Sequence, residues 1–172
     1  KDEKEISEEL RGLTLSAPKK ILQSGSKCAF SVAPGLSCPG ATEFCSSRCY
    51  ACSGNHLYPA PLKANLRNFL ILEKAFAQGD FDRLALILGA MVCSSMGGLL
   101  GFFRIHESGD FWREEVVDLW VEIAKNAPHI RFFAYTRSFE LDFSAFQALE
   151  NTTLWASADP DNRISAQKFS KK

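Results

Sequence analysis

Between Cys38 and Cys52 the chain places four cysteines in fifteen residues, three of them (Cys45, Cys49 and Cys52) spaced C-x3-C-x2-C in a segment too short for a core of its own. Thiolates are soft ligands that suit iron-sulfur clusters and zinc, and cysteines this close can converge on one centre without closing a long loop. The spacing predicts a metal loop over residues 38–54, with Cys38, Cys45, Cys49 and Cys52 as ligands of a 4Fe-4S cluster or of zinc. Disulfides are the competing reading, but scaffolds built on them are usually shorter and richer in cysteine than a 172-residue chain with six. Residues 1–11 are charged and lack the apolar core of a signal peptide. A reducing, cytoplasmic setting is therefore expected.

A formal net charge of +0 with 46% hydrophobic residues describes one α/β domain over residues 1–172, with a polar lead over 1–20. No basic footprint points to nucleic acid, and the lysine-rich ends, Lys1 to Lys4 and Lys168 to Lys172, read as solvated tails. The longest apolar run, Leu84 to Phe103, is interrupted by Cys93, Ser94, Ser95, Gly97 and Gly98, so no membrane span is expected. The chain starts at Lys1 without Met and stops at Lys172 just after the start of a helical pattern, which reads as a piece of a longer protein.

Cys28–Ala33 (CAFSVA), ended by Pro34-Gly35, reads as a strand entering a turn, and the cysteine segment follows it directly. Pro61 opens a helical spacing through Leu62, Leu66, Phe69, Leu70 and Phe76 that ends near Gly79. A second helix over 82–95 is apolar on nearly every side, so burial on two faces is expected, with Gly97-Gly98 as its stop. Residues 99–106 (LLGFFRIH) run without alternation, as a buried parallel strand does. There follow a helix over 114–127, a strand over 130–136 (IRFFAYT), a short helix over 142–149 with Asp142 as N-cap, and a strand over 153–158 (TLWASA), with a further helix beginning after it.

This alternation predicts a parallel sheet with right-handed crossovers and chemistry in the loops after the strand C-termini. Four strands cannot close an eight-stranded barrel, which typically takes ~250 residues. The expected fold is α/β, a partial (βα) barrel or an open curved parallel sheet with the cysteine-rich loop after its first strand. The chemistry-bearing stretches fall at the expected ends: the cysteine loop, His106-Glu107-Ser108-Gly109-Asp110, Tyr135-Thr136-Arg137-Ser138 and Ser157-Ala158-Asp159.

The stretches Ser37-Cys38-Pro39-Gly40-Ala41, Cys45, Cys49-Tyr50-Ala51, Gly54, Arg104-Ile105-His106, Ser108-Gly109-Asp110-Phe111 and Tyr135-Thr136-Arg137-Ser138 closely resemble the phage and plasmid family labelled gene product 88. That resemblance implies a mobile-element origin and some metal chemistry, stresses Cys38, Cys45 and Cys49, and names no substrate. The C-x3-C-x2-C spacing after a first strand also resembles, more weakly, the radical S-adenosylmethionine enzymes. There three cysteines hold a 4Fe-4S cluster whose fourth iron binds the cofactor. This second resemblance implies that Glu107, Ser108, Gly109 and Asp110 receive the methionine amine and that Ser157-Ala158-Asp159 matches a Ser-x-Asp element of the fourth strand. Two departures stand against it: Ala51 holds the usual aromatic place, with Tyr50 one position early, and Cys38 supplies a fourth thiolate.

His106 is a candidate ligand or acid-base group, or else a hydrogen-bonded structural residue. Glu107 and Asp110 either bind a cofactor or cap and flank the helix from Glu114. Arg137 either clamps a carboxylate or phosphate or pairs with Glu140. Cys93 and Cys28 read as structural thiols. The aromatics Phe102, Phe103, Phe132, Phe133, Tyr135 and Trp155 are expected in the core rather than on a base-stacking surface. The leading expectation is an iron-sulfur protein related to radical S-adenosylmethionine enzymes. Its alternative is a non-enzymatic module, closed by four cysteines on one metal, that binds a host protein.

Overall fold

The computed structural model describes residue 10 and residues 12–16, 26–96 and 101–170. Its sheet has five strands in sequence order: β1 (Leu15–Ser16), β2 (Ser26–Phe30), β3 (Phe102–Arg104), β4 (Arg131–Thr136) and β5 (Thr152–Ala156). β1 pairs antiparallel with β2, and every later neighbour is parallel, with Cys28 beside Phe103, Phe103 beside Phe132 and Phe132 beside Thr152. Parallel neighbours need long crossovers. Between β2 and β3 the chain passes through α1 (Glu43–Ser47), two tight helical turns (Tyr50–Cys52 and Gly54–Leu57), α2 (Pro59–Gln78) and α3 (Phe81–Met96). α4 (Glu114–Asn126) joins β3 to β4, α5 (Ser144–Gln147) joins β4 to β5, and α6 (Arg163–Phe169) closes the described chain.

α2 starts on Pro59 and Pro61, where a missing N–H costs no helical bond. It ends at Gly79, whose φ of +73° suits a residue without a Cβ and whose N–H bonds back to Ala75 and Phe76. The core lies on one face of the sheet. Phe30, Phe103, Ile105, Phe132 and Ala134 meet Leu84, Leu88, Val92 and Met96 of α3 and Val116, Val117, Trp120 and Ile123 of α4. Trp120 is its hub, fully buried with ring centroids 5.6 Å from Phe30 and 5.7 Å from Phe103.

The α/β class and the order of the parallel strands are as expected, but several details are not. The polar lead is no mere tail, because Leu10 and Leu13 are buried and β1 adds an antiparallel edge. The strand expected over 99–106 is regular only at Phe102–Arg104 and alternates, with Phe102 exposed and Phe103 buried. The helices cover one face alone among the described residues, so the six strand aromatics divide: Phe103 and Phe132 enter the core, Phe133 is half-buried, and Phe102, Tyr135 and Trp155 are exposed. α3 likewise buries one side only, leaving Leu86 exposed. Asp142 does not cap a helix of eight residues. It accepts from Ser144 N at 2.9 Å, just ahead of the single turn of α5. The Gly97-Gly98 stop and the residues Lys1, Lys4, Lys171 and Lys172 lie outside the described residues. No helix of the described residues is long and apolar enough to cross a membrane.

Candidate functional site

Four loops leave the C-terminal ends of β2, β3, β4 and β5, and they interlock. The loop after β2 is joined to the loop after β3 by Val32 N to Ser108 O at 3.0 Å, Ser108 Oγ to Val32 O at 3.0 Å and Asp110 N to Ser37 O at 3.1 Å. Gly109, at φ +84°, lies so close to this partner that a Cβ there would sit 2.4 Å from Ser37 Oγ. Gly40 abuts the loop after β4, where an added Cβ would sit 2.1 Å from Arg137 O.

Asp110 brackets β3 to β4. Its Oδ1 accepts from Phe111 N at 2.7 Å and Thr136 Oγ1 at 2.8 Å, and its Oδ2 accepts from Arg137 N at 2.7 Å. Burial pushes this carboxyl up to about 6 despite those three donors, because desolvation of the charge outweighs them. The loop after β5 fastens the cysteine helix. Thr42 caps α1 by accepting from Cys45 N at 3.0 Å while it donates to Asp159 Oδ2 at 2.6 Å, and Asp161 accepts from Phe44 N at 3.0 Å. Arg137 completes the bracket through an ion pair with Asp159. Desolvation would raise the Asp159 carboxyl, but the donors from Thr42, Asp161, Arg137 and Asn162 hold it below its ordinary range.

These loops enclose a cavity of about 440 Å³ whose wall includes Cys38, Cys45, Cys49, Arg104, Asp110 and Arg137. All six cysteines are free thiols. Cys52 is exposed and outside the wall, in a turn closed by Cys52 N donating to Cys49 O at 3.0 Å. The Cys38 thiol is pushed up by burial and further by the nearby Asp110, and Cys45 is pushed up by burial against the opposing pull of Arg137. Both are therefore protonated at neutral pH unless a cation displaces the proton. Among the described residues no group of three or more His, Cys, Asp or Glu side chains is assembled to hold a metal ion.

Of the loop expected to bind a cofactor, Ser108, Gly109 and Asp110 reach the cavity, whereas the Glu107 carboxylate turns away and accepts from Ser16 Oγ at 3.1 Å. Neither Glu107 nor Asp110 caps α4, whose N-cap position is Arg113. His106 also borders the cavity, on a left-handed backbone with φ 53°, but both ring nitrogens are sealed from solvent with no partner. Burial among Phe30, Phe111, Trp112 and Trp120 lowers it to about 3, so it stays neutral. Arg137 pairs with Asp159 and not with Glu140. Cys28 is buried with its sulfur 3.8 Å from that of Met96, and Cys93 packs half-buried against the core, both as structural thiols.

Sequence reasoning passed over three residues of the site. Arg104 donates to the Tyr50 hydroxyl at 3.2 Å and lies over the Tyr135 ring at 5.7 Å, while Tyr50 donates to the carbonyl of Glu107. The signal for Arg104 was its position two residues before His106, at the end of a strand. Thr42 was legible as an N-cap from the Thr-x-x-Cys spacing alone.

Comparison with known proteins places the chain. It is 34% identical over 134 residues to the "Gene 88 protein" of Mycobacterium phage L5 and 33% identical over 131 residues to that of Mycobacterium phage D29. Each match covers 74% of this chain and 54% of the phage protein, so the chain spans about half the length of the curated relatives it matches. No solved structure matches it. The family model described as "Gene product 88" matches residues 3–172, and the chain, with its cavity of three thiols at the C-terminal edge of a parallel sheet, belongs to that family.

Proposed function

We propose that this chain is an iron-sulfur protein of mobile-element origin, holding its cluster through Cys45, Cys49 and one or both of Cys38 and Cys52, beside a small-molecule cavity. The observation that carries the proposal is the placement of Cys38, Cys45 and Cys49 on one cavity wall, with Cys52 one short turn beyond Cys49. The donor set fits the group: free thiols, soft and crowded, are what clusters and zinc select. The consecutive order β2-β3-β4-β5 is also that of the first strands of a βα barrel, which supports a partial barrel. Free thiols and phage relatives favour the cytoplasm as its location.

A cluster iron left without a protein ligand would supply the open position at which S-adenosylmethionine is bound and reduced. The chain's own residues would do the rest. Asp110, titrating near 6, is a carboxylate at neutral pH and can accept a ligand's ammonium at the cavity wall. Arg137 is held by Asp159 and so stiffens the wall more than it offers charge. The interlocked loops would keep water from the part of the wall where Ser108 and Thr136 are buried.

The short turn that ties Cys52 N to Cys49 O favours a second reading, in which all four thiolates would close one structural metal and the module would bind a host protein. Full coordination leaves no open position for chemistry. Anaerobic purification tests the proposal: brown protein with about four irons per chain is expected, given the cluster chemistry of crowded thiolates. Cys45→Ser and Cys49→Ser should each lose the iron and Cys93→Ser should keep it. Colourless protein with one tight zinc would reject the cluster. Calorimetry with S-adenosylmethionine on wild type and Cys38→Ala then separates the open site from the closed one, since no binding by either form leaves the closed module.

A further inference from the structure

The sheet face turned away from the helices carries Phe102 and Arg104 on β3, Arg131, Phe133 and Tyr135 on β4, and Thr153 and Trp155 on β5. Phe102 is 46% exposed, and Tyr135 and Trp155 are each 45% exposed. Tyr135 and Trp155 stack with centroids 5.1 Å apart at 27°, and Phe133 meets Trp155 at 5.9 Å and Phe102 at 6.5 Å, so four rings form one patch. Contiguous exposed rings of this kind mark a surface that something covers.

The charge on this face points to what covers it. Arg104 and Arg131 are the charged residues at those positions, and both are cations. Among the described residues no carboxylate pairs with Arg104, and its Nε is buried with no hydrogen-bond partner. A guanidinium half withdrawn from water, answered by the neutral Tyr50 hydroxyl and with its Nε unpaired among the described residues, suits an anion. Arg104 and Tyr135 also belong to the cavity wall, so the aromatic patch and the cavity are one continuous surface.

We propose that this surface binds a free nucleoside phosphate, its base stacked on the Tyr135–Trp155 pair and its phosphate held by Arg104. A base offers the flat π face that the stacked pair accepts, and a phosphate offers the paired oxygens that a guanidinium fork matches. The cavity of about 440 Å³ falls within the ~300–1,000 Å³ typical of small-molecule sites. A simple anion would leave the rings uncovered, and an apolar chain would leave Arg104 unanswered. A polynucleotide strand needs a track of positive charge that a chain of net charge +0, with two arginines on this face, does not supply. The inference deepens the reading of the cavity as a ligand site and is independent of the metal.

The test is calorimetric titration of the purified chain with nucleoside 5′-monophosphates, the matching nucleosides and inorganic phosphate, with iron measured on the same sample. Binding of a monophosphate is expected, with the nucleoside at least about tenfold weaker, as loss of a charge-assisted contact implies. Trp155→Ala should weaken both roughly five- to hundredfold, the range for loss of one base stack, and Trp155→Phe should recover most of it. Arg104→Gln should reduce the monophosphate to the affinity of its nucleoside and leave the nucleoside unchanged. Far-ultraviolet circular dichroism confirms that each variant is folded. Failure of folded wild type to bind any monophosphate, equal binding of monophosphate and nucleoside, or indifference to Trp155→Ala would overturn the proposal. An oligodeoxynucleotide that displaces the monophosphate at lower concentration would overturn it in favour of a strand. Nucleotide binding by an iron-free sample would sink the cluster alone, and iron without nucleotide binding would sink this inference alone.

Discussion

Replacing Gly40 with alanine puts a single methyl group where the structure has no room for it. The added Cβ would lie 2.1 Å from the carbonyl oxygen of Arg137, 2.5 Å from its carbonyl carbon and 3.0 Å from Ser138 N. These are backbone atoms, so no side chain can rotate away. Reaching an ordinary carbon–oxygen separation of ~3.3 Å moves one loop by roughly 1.2 Å. The moving loop is pinned: Arg137 N donates to Asp110 Oδ2, Ser138 Oγ donates to Phe111 O at 2.6 Å and Ser138 N donates to Thr136 Oγ1 at 3.0 Å. Overpacking costs ~1–3 kcal/mol, and a strained or lost hydrogen bond among buried groups adds ~1 kcal/mol, so Gly40→Ala should destabilise by about 2–4 kcal/mol. Gly89→Ala provides the control. Its Cβ would meet only Ile123, at 3.8 Å, in the middle of α3, so it should stabilise by ~0.5–1 kcal/mol through helix propensity. Urea denaturation of the three proteins measures both. If Gly40→Ala unfolds within ~0.5 kcal/mol of wild type, a spread typical of surface changes, the interlocking of the two loops is refuted.

The Asp110 carboxyl, raised to about 6, makes stability depend on pH in a definite direction. The folded state holds this proton more tightly than the unfolded chain, so the contribution is full below about pH 4 and is lost as pH rises through about 6. Against Asp110→Asn, wild type should lose on the order of 1 kcal/mol of denaturant stability between pH 5 and 7, and a constant difference would contradict the burial argument. Thr42→Val keeps the shape of the side chain but removes the cap of α1, at a cost of about 1 kcal/mol. Hydrogen exchange should show the Cys45 amide opening faster, and unchanged exchange there would mean that the cap is immaterial.

The parallel order of β2 to β5 was legible because each strand carries a short apolar run closed by a turn signal, with a helical period between runs. β1 was not, since two residues in a polar lead carry no period at all. The bare sheet face escaped for a different reason. In Arg131–Thr136 the two faces hold Phe132, Ala134 and Thr136 against Arg131, Phe133 and Tyr135, and a strand with aromatics on both sides reads as buried on both. Apolar character shows that a face prefers cover. It does not say whether helices or a ligand provide that cover.

The same limit governs the site. Closeness along the chain put four cysteines in one segment, and the structure places three of them, Cys38, Cys45 and Cys49, on one cavity wall. Spacing alone made Cys52 equal to Cys45, whereas the turn at Tyr50–Cys52 carries Cys52 outward and the loop after β2 carries Cys38 inward beside Asp110. Partners distant in sequence were invisible. Arg137 was matched to Glu140 three residues away, but Asp159, at the end of the next strand, takes it and holds Thr42 as well. A loop with no core of its own was expected to owe its order to a metal. The structure gives it other anchors, in Gly40 against Arg137, Thr42 on Asp159 and Phe44 on Asp161, from the loops after β4 and β5. A loop anchored this way owes its order to the sheet, so that any ion or cluster its thiols held would spend little of its binding energy on folding the loop.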